Sequence, residues 1–442
     1  MNTGKQLLQR DEVAWMGYTF EDPNMRTFRY RGKYFKAVLP TAADWARKAL
    51  APDLLERLHQ LGIIPQTRPC RLRVEEFGQV YAQETEHFNV LMTHWPCSVL
   101  KEAALTFLAL ARELQRRALR SIDGHCYNFV IQGASKPRWC DLGSFIPLRD
   151  PNETGDLDQF VRCFVYPLLL RQKSPHLDGF MRWSCAAGIE HEAAIPLLGL
   201  VIPQNRPRAQ MLDLLTELVG AIDFQWKSTL WSEYHQDAGA TADSGNIRLG
   251  PELYNRNQMV ARLLRTLKPA TVVDVGANAG FFTEMATQLG AEVLAIEPDE
   301  TAVEYHYRRL RETRATQRVK LMIGGVDGVP EQQGDLAIAL ALTHHLFFTA
   351  HYPWKLIATC LARHTHGALL TEFMPHGLCG VETPDSLPPA YRLEHFTGEL
   401  ERHFDRVEVI DYPTPATCAP RILILCTDKR DAPRDDGKGN LP

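Results

Sequence analysis

The chain has 442 residues, of which 45% are hydrophobic, and this is enough for two domains that each bury a core. Its 49 basic and 53 acidic residues give a formal net charge of -4, which argues against nucleic-acid or membrane-surface binding as a main role. The sequence contains no apolar run of signal-peptide or membrane-span type, and its ten cysteines lack metal-binding spacing, so we expect a cytoplasmic protein without a structural metal.

The first predicted elements are a β-hairpin and two helices. The hairpin covers Phe28 to Leu39 and places Lys36 on its second strand, and the helix Asp53 to Leu61 carries Glu56. A longer helix is predicted from Val99 to Arg117.

Three polar residues follow the long helix at a distinctive spacing. Asn128 stands five residues after Asp123, and Asp141 stands thirteen residues after Asn128. A predicted strand-turn-strand, Phe129 to Ile131 and Arg138 to Cys140, separates the last two. An Asp can orient or deprotonate a hydroxyl, whereas an Asn and a second Asp supply the oxygen ligands that Mg²⁺ prefers on nucleotide phosphates.

This pattern resembles the catalytic and metal-binding loops of protein-kinase-like folds, and the resemblance covers residues 25 to 185. It implies that Lys36 reaches nucleotide phosphates with Glu56 as its ion-pair partner, and that Asp123 faces the acceptor hydroxyl. It also implies that Asn128 and Asp141 hold Mg²⁺ if ATP binds.

The sequence departs from the kinase pattern at several places. A glycine-rich loop does not precede the hairpin, Ser121 stands in the region of the usual histidine and arginine, and Leu142 replaces a phenylalanine. Three roles therefore remain open for this half: a degenerate scaffold that shapes or delivers substrate, a kinase that uses ATP and Mg²⁺, and a non-catalytic module that binds a protein partner.

Two polar stretches divide the chain. Residues 234–250 are small and polar between segments of strong apolar patterning, and we place a linker there. Residues 428–442 are charged and lack apolar anchors, so a disordered tail is expected. The predicted domains are then 1–233 and 251–427.

The second domain shows strands and helices in alternation, which is typical of a doubly wound α/β fold. The predicted helices are 257–267, 281–288, 300–313, 353–363 and 393–404, and the predicted strands are 270–275, 292–296, 319–323, 336–342, 368–373, 406–410 and 422–426.

A glycine-bearing turn follows the first of these strands. Asp274 ends the strand, Gly276 and Gly280 bracket the turn, and Asn278 lies between them. Glycine permits a tight turn and a close approach of the backbone to a ligand. The spacing is D-x-G-x-x-x-G with Ala277 inside it, instead of the G-x-G-x-x-G of dinucleotide-binding enzymes, and this favours S-adenosylmethionine (SAM) over NAD.

Two acids follow at the ends of the next two strands. Glu297 lies 23 positions after Asp274 and can accept both ribose hydroxyls, while Asp327 can accept from an adenine amino group or can be a solvated loop acid. Together with the glycine turn they resemble the class I SAM-dependent methyltransferases. The alternative is a nucleotide-binding Rossmann domain.

The candidate catalytic residues end the fourth and fifth strands. His344 or His345 can take a proton as the methyl group arrives, or one can cap the strand while the other packs under two phenylalanines. Glu372 can orient a histidine, bind a cationic or hydroxylated substrate, or be a surface acid. Methylation of nucleic-acid bases is disfavoured because the N-P-P-Y motif is absent.

A kinase-like segment before a methyltransferase with a His-His-Leu strand end resembles a group of bacterial methyltransferases that includes the nodulation protein NoeA. The resemblance implies a tailoring enzyme that transfers methyl from SAM to an oxygen or nitrogen of a small molecule, glycan or peptide. We therefore expect a Rossmann-like methyltransferase domain behind an α+β kinase-like domain; the acceptor and the oligomeric state are not readable from the sequence.

Overall fold

The computed structural model divides the chain into two compact units, Met1–Trp226 and Lys227–Pro442. It describes residues 7–17, 22–84, 88–133, 136–203, 206–229, 255–313, 318–378, 386–410, 412 and 420–433. The predicted linker, 234–250, lies outside these residues and stays a prediction. None of the helices in the described ranges is long and apolar enough to cross a membrane.

The first unit combines short strands with helices, as predicted. Its strands are β1 (Leu7–Leu8), β2 (Ala14–Trp15), β3 (Met25–Tyr30), β4 (Lys33–Val38), β5 (Thr67–Pro69), β6 (Arg73–Val74), β7 (Val80–Gln83), β8 (Leu119–Ser121), β9 (Phe129–Gln132), β10 (Lys136–Trp139) and β11 (Phe145–Pro147). Its helices are α1 (Ala43–Ala49), α2 (Pro52–Gln60), α3 (Cys97–Gln115), α4 (Gly155–Phe160), α5 (Tyr166–Lys173), α6 (Asp178–Ala187), α7 (His191–Leu198) and α8 (Arg208–Ala221).

A five-stranded antiparallel sheet opens this unit, with the strand order β2-β3-β4-β7-β5. One face of the sheet is apolar because Phe28, Ala37 and Val80 point to the same side and pack into a core with Leu8 and Val74. The β9-β10 hairpin lies in the second half of the unit and packs on α3.

The helical half of this unit is built around α3 and an aromatic cluster. Phe107 of α3 stacks on Phe160 at 5.0 Å between ring centroids and approaches Trp139 of β10 at 5.4 Å. Nearby, the buried Arg208 of α8 donates two hydrogen bonds to the carboxylate of Asp156 in α4, at 2.6 and 2.7 Å. Both side chains are fully buried, so this pair ties α8 to α4 without exposed charge.

The second unit is an α/β layer structure. Its strands are β12 (Thr271–Val275), β13 (Glu292–Glu297), β14 (Val319–Ile323), β15 (Gly334–Ala339), β16 (Thr365–Phe373), β17 (Phe404–Ile410) and β18 (Ile422–Lys429). Its helices are α9 (Asn255–Leu267), α10 (Phe281–Gln288), α11 (Glu300–Thr313), α12 (Thr343–Phe348), α13 (Trp354–Ala362) and α14 (Leu393–Leu400).

These strands form one sheet in the order β14-β13-β12-β15-β16-β18-β17, in which β12 to β16 run parallel and β18 is antiparallel to both of its neighbours. The strand order reverses at β12, which pairs with β13 on one side and β15 on the other. The carboxyl ends of β12 and β15 therefore border the crevice where open α/β sheets bind ligands. This confirms the predicted Rossmann-like fold class.

Most predicted elements of the second unit match within three residues, and α10, α11 and β14 match at both ends. Three predictions were wrong. The strand predicted to reach Leu342 ends at Ala339, because the chain turns at Ala341 (φ 55°) and enters α12, which was not predicted. The helix predicted to reach Phe404 ends at Leu400. The tail predicted to begin at 428 contributes its first two residues to β18.

Candidate functional site

The predicted cofactor turn connects β12 to α10 at the reversal point of the sheet. Gly276, Asn278 and Gly280 all have positive φ, at 73°, 52° and 87°. Such angles suit glycine, and asparagine tolerates them better than most residues. The amides of Gly276 and Ala277 donate to the carbonyl of Ile296 at 2.9 and 3.0 Å, which holds the turn against the end of β13.

Asp274 lies beneath this turn and is almost completely buried. Its carboxylate accepts a hydrogen bond of 2.6 Å from the Thr283 hydroxyl in the first turn of α10. Burial raises the pKa of Asp274 to about 6, and the hydrogen bonds from Thr283 oppose that rise. This buried carboxylate joins the end of β12 to the first turn of α10. It thereby fixes the direction in which the turn between them faces.

Glu297 ends β13 beside the turn. Its two carboxylate oxygens each accept a backbone amide at 2.8 Å, one from Asn278 and one from Asp299. Burial raises the pKa of Glu297 to about 7, with smaller contributions from the negative charges of Asp299 and Asp274. A carboxylate has about four acceptor positions, so a pair of ligand hydroxyls can still bind. Glu297, the residue predicted to bind the ribose, therefore lies directly beside the predicted cofactor turn.

The back of the turn rests on α11. A methyl group built on Gly280 would lie 2.2 Å from the imidazole ring of His306, which is buried there. Arg309 donates to the carbonyl of Ala279 and pairs with Glu284 of α10 at 2.5 Å. The predicted approach of the Gly280 backbone to the cofactor stays a prediction. The space for a side chain at position 280 is occupied by His306, so close helix packing excludes a side chain there.

We therefore expect Gly280→Ala to weaken both the fold and SAM binding. The new methyl group would collide with His306 and would strain the positive φ, and such strain costs about 1–3 kcal/mol before any displacement of α11. Thermal unfolding with and without SAM measures the effect. Gly398→Ala in α14 is a matched control because its added methyl group meets nothing within 4 Å. Equal SAM affinity in Gly280→Ala and the wild type would contradict this role.

Asp327 lies in the turn after β14 and is exposed. Its carboxylate accepts a hydrogen bond from the Tyr352 hydroxyl, which follows α12, and this contact raises the pKa of the tyrosine. The predicted contact between Asp327 and adenine remains a prediction.

The two histidines lie in the first turn of α12. Their rings are 4.1 Å apart between centroids, and His344 is the more deeply buried of the two. Burial, then the neighbouring His345 and Arg421, lower the pKa of His344 to about 3, and burial followed by Arg421 lowers the pKa of His345. His344 is therefore a neutral and weakly basic group at physiological pH.

Glu372 connects the segments around these histidines. It is buried at the end of β16, and its carboxylate accepts the Ala341 amide at 2.9 Å. The same carboxylate pairs with Arg421 at 2.9 Å and with Arg256 at 3.5 Å. Its backbone carbonyl accepts from the Thr343 hydroxyl at 2.5 Å. The predicted alternative of a surface acid is therefore wrong.

In the first unit, Lys36 occupies the predicted position on the second strand of the β3-β4 hairpin. It is buried and its ammonium donates to the Thr27 hydroxyl at 3.1 Å. Glu56 lies on the exposed face of α2 and accepts from the Gln60 amide at 2.9 Å. The predicted Lys36–Glu56 ion pair was wrong because the leucines of α2 face the core and turn Glu56 to solvent.

Of the predicted kinase-like triad, Asp123 and Asp141 lie close enough for their charges to interact. Burial raises the pKa of Asp123, His125, 3.8 Å away, lowers it, and the negative charge of Asp141 raises it further. Asn128 precedes β9, its carbonyl accepts the Cys140 amide at 2.8 Å, and its side-chain amide nitrogen is buried without a hydrogen-bond partner in the described part of the chain. The hairpin thus carries Asn128 and Asp141 at its two ends.

Asp22, which was not predicted as a site residue, packs against the turn that follows Asp141. A methyl group built on Gly143 would lie 1.8 Å from a carboxylate oxygen of Asp22, and Asn24 donates to the Gly143 carbonyl at 2.7 Å. Burial, and then the charge of Asp141, raise the pKa of Asp22 to about 6. Within the described ranges, no three or more His, Cys, Asp or Glu side chains are arranged to hold a metal ion.

Sequence reasoning also missed Thr283, Arg256 and Arg421. Each is a polar residue in or beside an apolar pattern, which was the available signal: Thr283 in the first turn of α10, Arg256 at the start of α9, and Arg421 next to β18. The sequence around Asp22 gives no such signal, because Gly143, which Asp22 packs against, is 121 residues away in the chain.

No protein-family model matches the sequence. The nodulation protein NoeA of Rhizobium meliloti (strain 1021) is 23% identical over 332 residues, and the match covers 64% of this chain and 67% of NoeA. The resemblance to a NoeA-like group, predicted from the motifs, is confirmed by this relative.

Several solved structures match part of the chain. The bifunctional kinase-methyltransferase WbdD matches 39% of this chain and 38% of its own at 20% identity, with a TM-score of 0.31. The N-terminal domain of EvdMO1, solved in the presence of SAH and D-fucose, matches 40% of this chain and 85% of its own at 19% identity, with a TM-score of 0.30. A TehB-like SAM-dependent methyltransferase from Corynebacterium glutamicum matches 38% and 87% at 16% identity, with a TM-score of 0.28. The strand order β14-β13-β12-β15-β16-β18-β17 identifies the fold.

Proposed function

We propose that the second unit is a SAM-dependent methyltransferase that acts on an oxygen or nitrogen atom of a small molecule, glycan or peptide. The observation that carries the proposal is Glu297, a buried carboxylate at the reversal point of the sheet, held by the amides of Asn278 and Asp299 beside the glycine turn. Its remaining acceptor positions suit two adjacent ribose hydroxyls.

The neighbouring residues fit the rest of the cofactor. Asp274 and its bond to Thr283 lie at the end of β12, where the amino-acid part of SAM would bind, and Asn278 is in the same turn. Bound SAM supplies a methyl group already activated as a sulfonium, so the protein contributes mainly by placing the acceptor in line with that group. For an acceptor that carries a proton, His344 is a poor base because burial lowers its pKa to about 3, so His345 is the proposed base.

Calorimetric titration of the full chain tests this proposal. We expect SAM and S-adenosylhomocysteine to bind at one site and NAD to give no heat, because the turn lacks the dinucleotide pattern. NAD binding with no SAM binding would overturn the methyltransferase in favour of a Rossmann dehydrogenase.

For the first unit we propose a kinase-like scaffold that shapes or delivers substrate. The support is the position of Asp22 on Gly143, next to Asp141, where a kinase would bring the phosphates and Mg²⁺ of ATP. A second carboxylate at this place repels phosphate. The charge of Lys36 acts on that carboxylate and lowers the pKa of Asp22, while the Lys36 ammonium donates to the Thr27 hydroxyl.

We expect Mg·ATP to leave the thermal stability of the protein unchanged. A nucleotide present at about 100 times its Kd would stabilise the folded chain by about 2.7 kcal/mol, which is several degrees of unfolding temperature. Thermal unfolding with ATP and Mg²⁺, with SAM, and with both measures this, and SAM is the positive control. A shift with ATP and Mg²⁺ that disappears in Asp141→Asn would instead establish a bifunctional kinase-methyltransferase.

A module that binds a protein partner is the remaining candidate for this unit. A pull-down that survives Asp123→Ala and Asp141→Ala would favour it, since partner binding would not require the polar triad.

A further inference from the structure

A cluster of charges borders the cofactor turn on the β15 side. Leu342 lies 3.2 Å from the place of a methyl group built on Gly276, so the turn after β15 touches the cofactor turn directly. One residue earlier, Ala341 donates its amide to Glu372, which holds Arg256 and Arg421. The guanidinium of Arg256 also lies over the ring of Phe282 in α10, at 5.3 Å. The two arginines are thus linked to the proposed cofactor turn through Glu372 and the turn after β15.

Among the described residues, this cluster contains two guanidinium groups and one carboxylate. Burial lowers the pKa of the two adjacent histidines, so the described side chains of the cluster carry a net positive charge. Arg256 is held at a distance: its shortest contact with Glu372 is 3.5 Å, and its Nε donates to the Asn257 side chain at 3.2 Å. A guanidinium has five donors in a planar fork that matches carboxylate and phosphate groups, so Arg256 retains the capacity to bind an anion.

His344 adds an independent indication of a ligand. It is 3% exposed, and its Nδ1 has no hydrogen-bond partner among the residues that the structure describes. A buried polar atom without a partner is costly and calls for an explanation, and a bound ligand is one.

We infer that the acceptor is an oxyanion, a carboxylate or a phosphate group, bound by Arg256 and Arg421 beside the cofactor turn. This inference rests on the proposed function and names its class of substrate. The acceptor oxygen attacks the methyl carbon, the carbon–sulfur bond breaks, and its electron pair remains on sulfur. The products are neutral S-adenosylhomocysteine and a methyl ester with one negative charge fewer.

No proton is transferred in this reaction, so no general base is required. A hydroxyl or ammonium acceptor would instead need a base. Burial lowers the pKa of His344 to about 3 and also lowers the pKa of His345, so neither histidine is favoured for that role. Burial is the main reason why the pKa of both histidines is low, and the charge of Arg421 lowers it further. The same charge would attract an anion.

The test uses the full chain saturated with S-adenosylhomocysteine, titrated calorimetrically with inorganic phosphate and, separately, with benzoate. We expect saturable binding of at least one probe, and the stronger of the two identifies the class of anion. Arg256→Gln and Arg421→Gln should each weaken that binding about tenfold or more, as expected for a lost charge-assisted hydrogen bond. Arg406→Gln is the matched control, because Arg406 lies on β17, is 80% exposed and pairs with Asp428.

S-adenosylhomocysteine affinity reports on folding in every variant. If Arg421→Gln no longer binds S-adenosylhomocysteine, the test depends on Arg256→Gln, because Arg256 has the longer contact with Glu372. Binding of S-adenosylhomocysteine with no binding of either probe overturns the inference and leaves the methyltransferase intact. Probe binding that is unchanged in Arg256→Gln also overturns it. Loss of S-adenosylhomocysteine binding in the wild type would overturn the proposed function itself.

Discussion

Glu297→Gln is expected to weaken SAM binding by about 100-fold or more. Each hydrogen bond to a charged group contributes about 1.5–3 kcal/mol, and the proposed ribose contact contains two of them. The substitution keeps the size of the side chain but turns an amide NH₂ toward a backbone amide, since both carboxylate oxygens now accept from the main chain. Calorimetry gives the affinity, and Glu312→Gln on the exposed face of α11 is the control.

The same carboxylate predicts a pH dependence. Burial raises the pKa of Glu297 to about 7, and ligand hydroxyls donate to the ionised form. A proton held in the free protein must then be released on binding, so SAM affinity is full above pH 8 and falls as the pH drops through 7. The slope approaches tenfold per pH unit well below the pKa. An affinity independent of pH in the wild type, or a fall through pH 7 that is equally large in Glu297→Gln, would contradict this assignment.

Arg208→Met is expected to destabilise the first unit by about 3–5 kcal/mol. Removing one partner of a buried ion pair leaves the other charge buried and uncompensated, here the carboxylate of Asp156. The exchange of backbone amides in α3 and α8 with deuterium, followed in the full chain, measures this loss within the unit.

A double variant separates charge from packing. Arg208→Met combined with Asp156→Leu removes both charges, so most of the lost stability should return. No recovery in the double variant would mean that the shape of the pair, and the bond from Arg208 to the Glu153 carbonyl, matter more than its charge.

The strands and helices of the second unit were well predicted because each has a clear hydrophobic pattern in its own local sequence. β14 and β13 are apolar runs between turn residues, and α11 has the period of an amphipathic helix. The turn at Gly276 and Gly280 was predicted from spacing, and both glycines have the positive φ that the spacing implies.

What the sequence could not predict depends on long-range contacts. The end of β15 is set by Glu372, 31 residues away, which holds the amide of Ala341 in a left-handed turn. Glu56 fits a kinase-like spacing, yet the orientation of α2 is decided by burial of its leucines. The position of Asp22 against Gly143 likewise follows from tertiary packing alone.

The contact between Gly280 and His306 limits which substitutions the cofactor turn can accept. The imidazole occupies the space that any side chain at 280 would need, so the two positions cannot change independently. A relative that acquires alanine or serine at 280 must first have a smaller residue at 306. We therefore expect substitutions at positions 280 and 306 to be correlated among distant relatives.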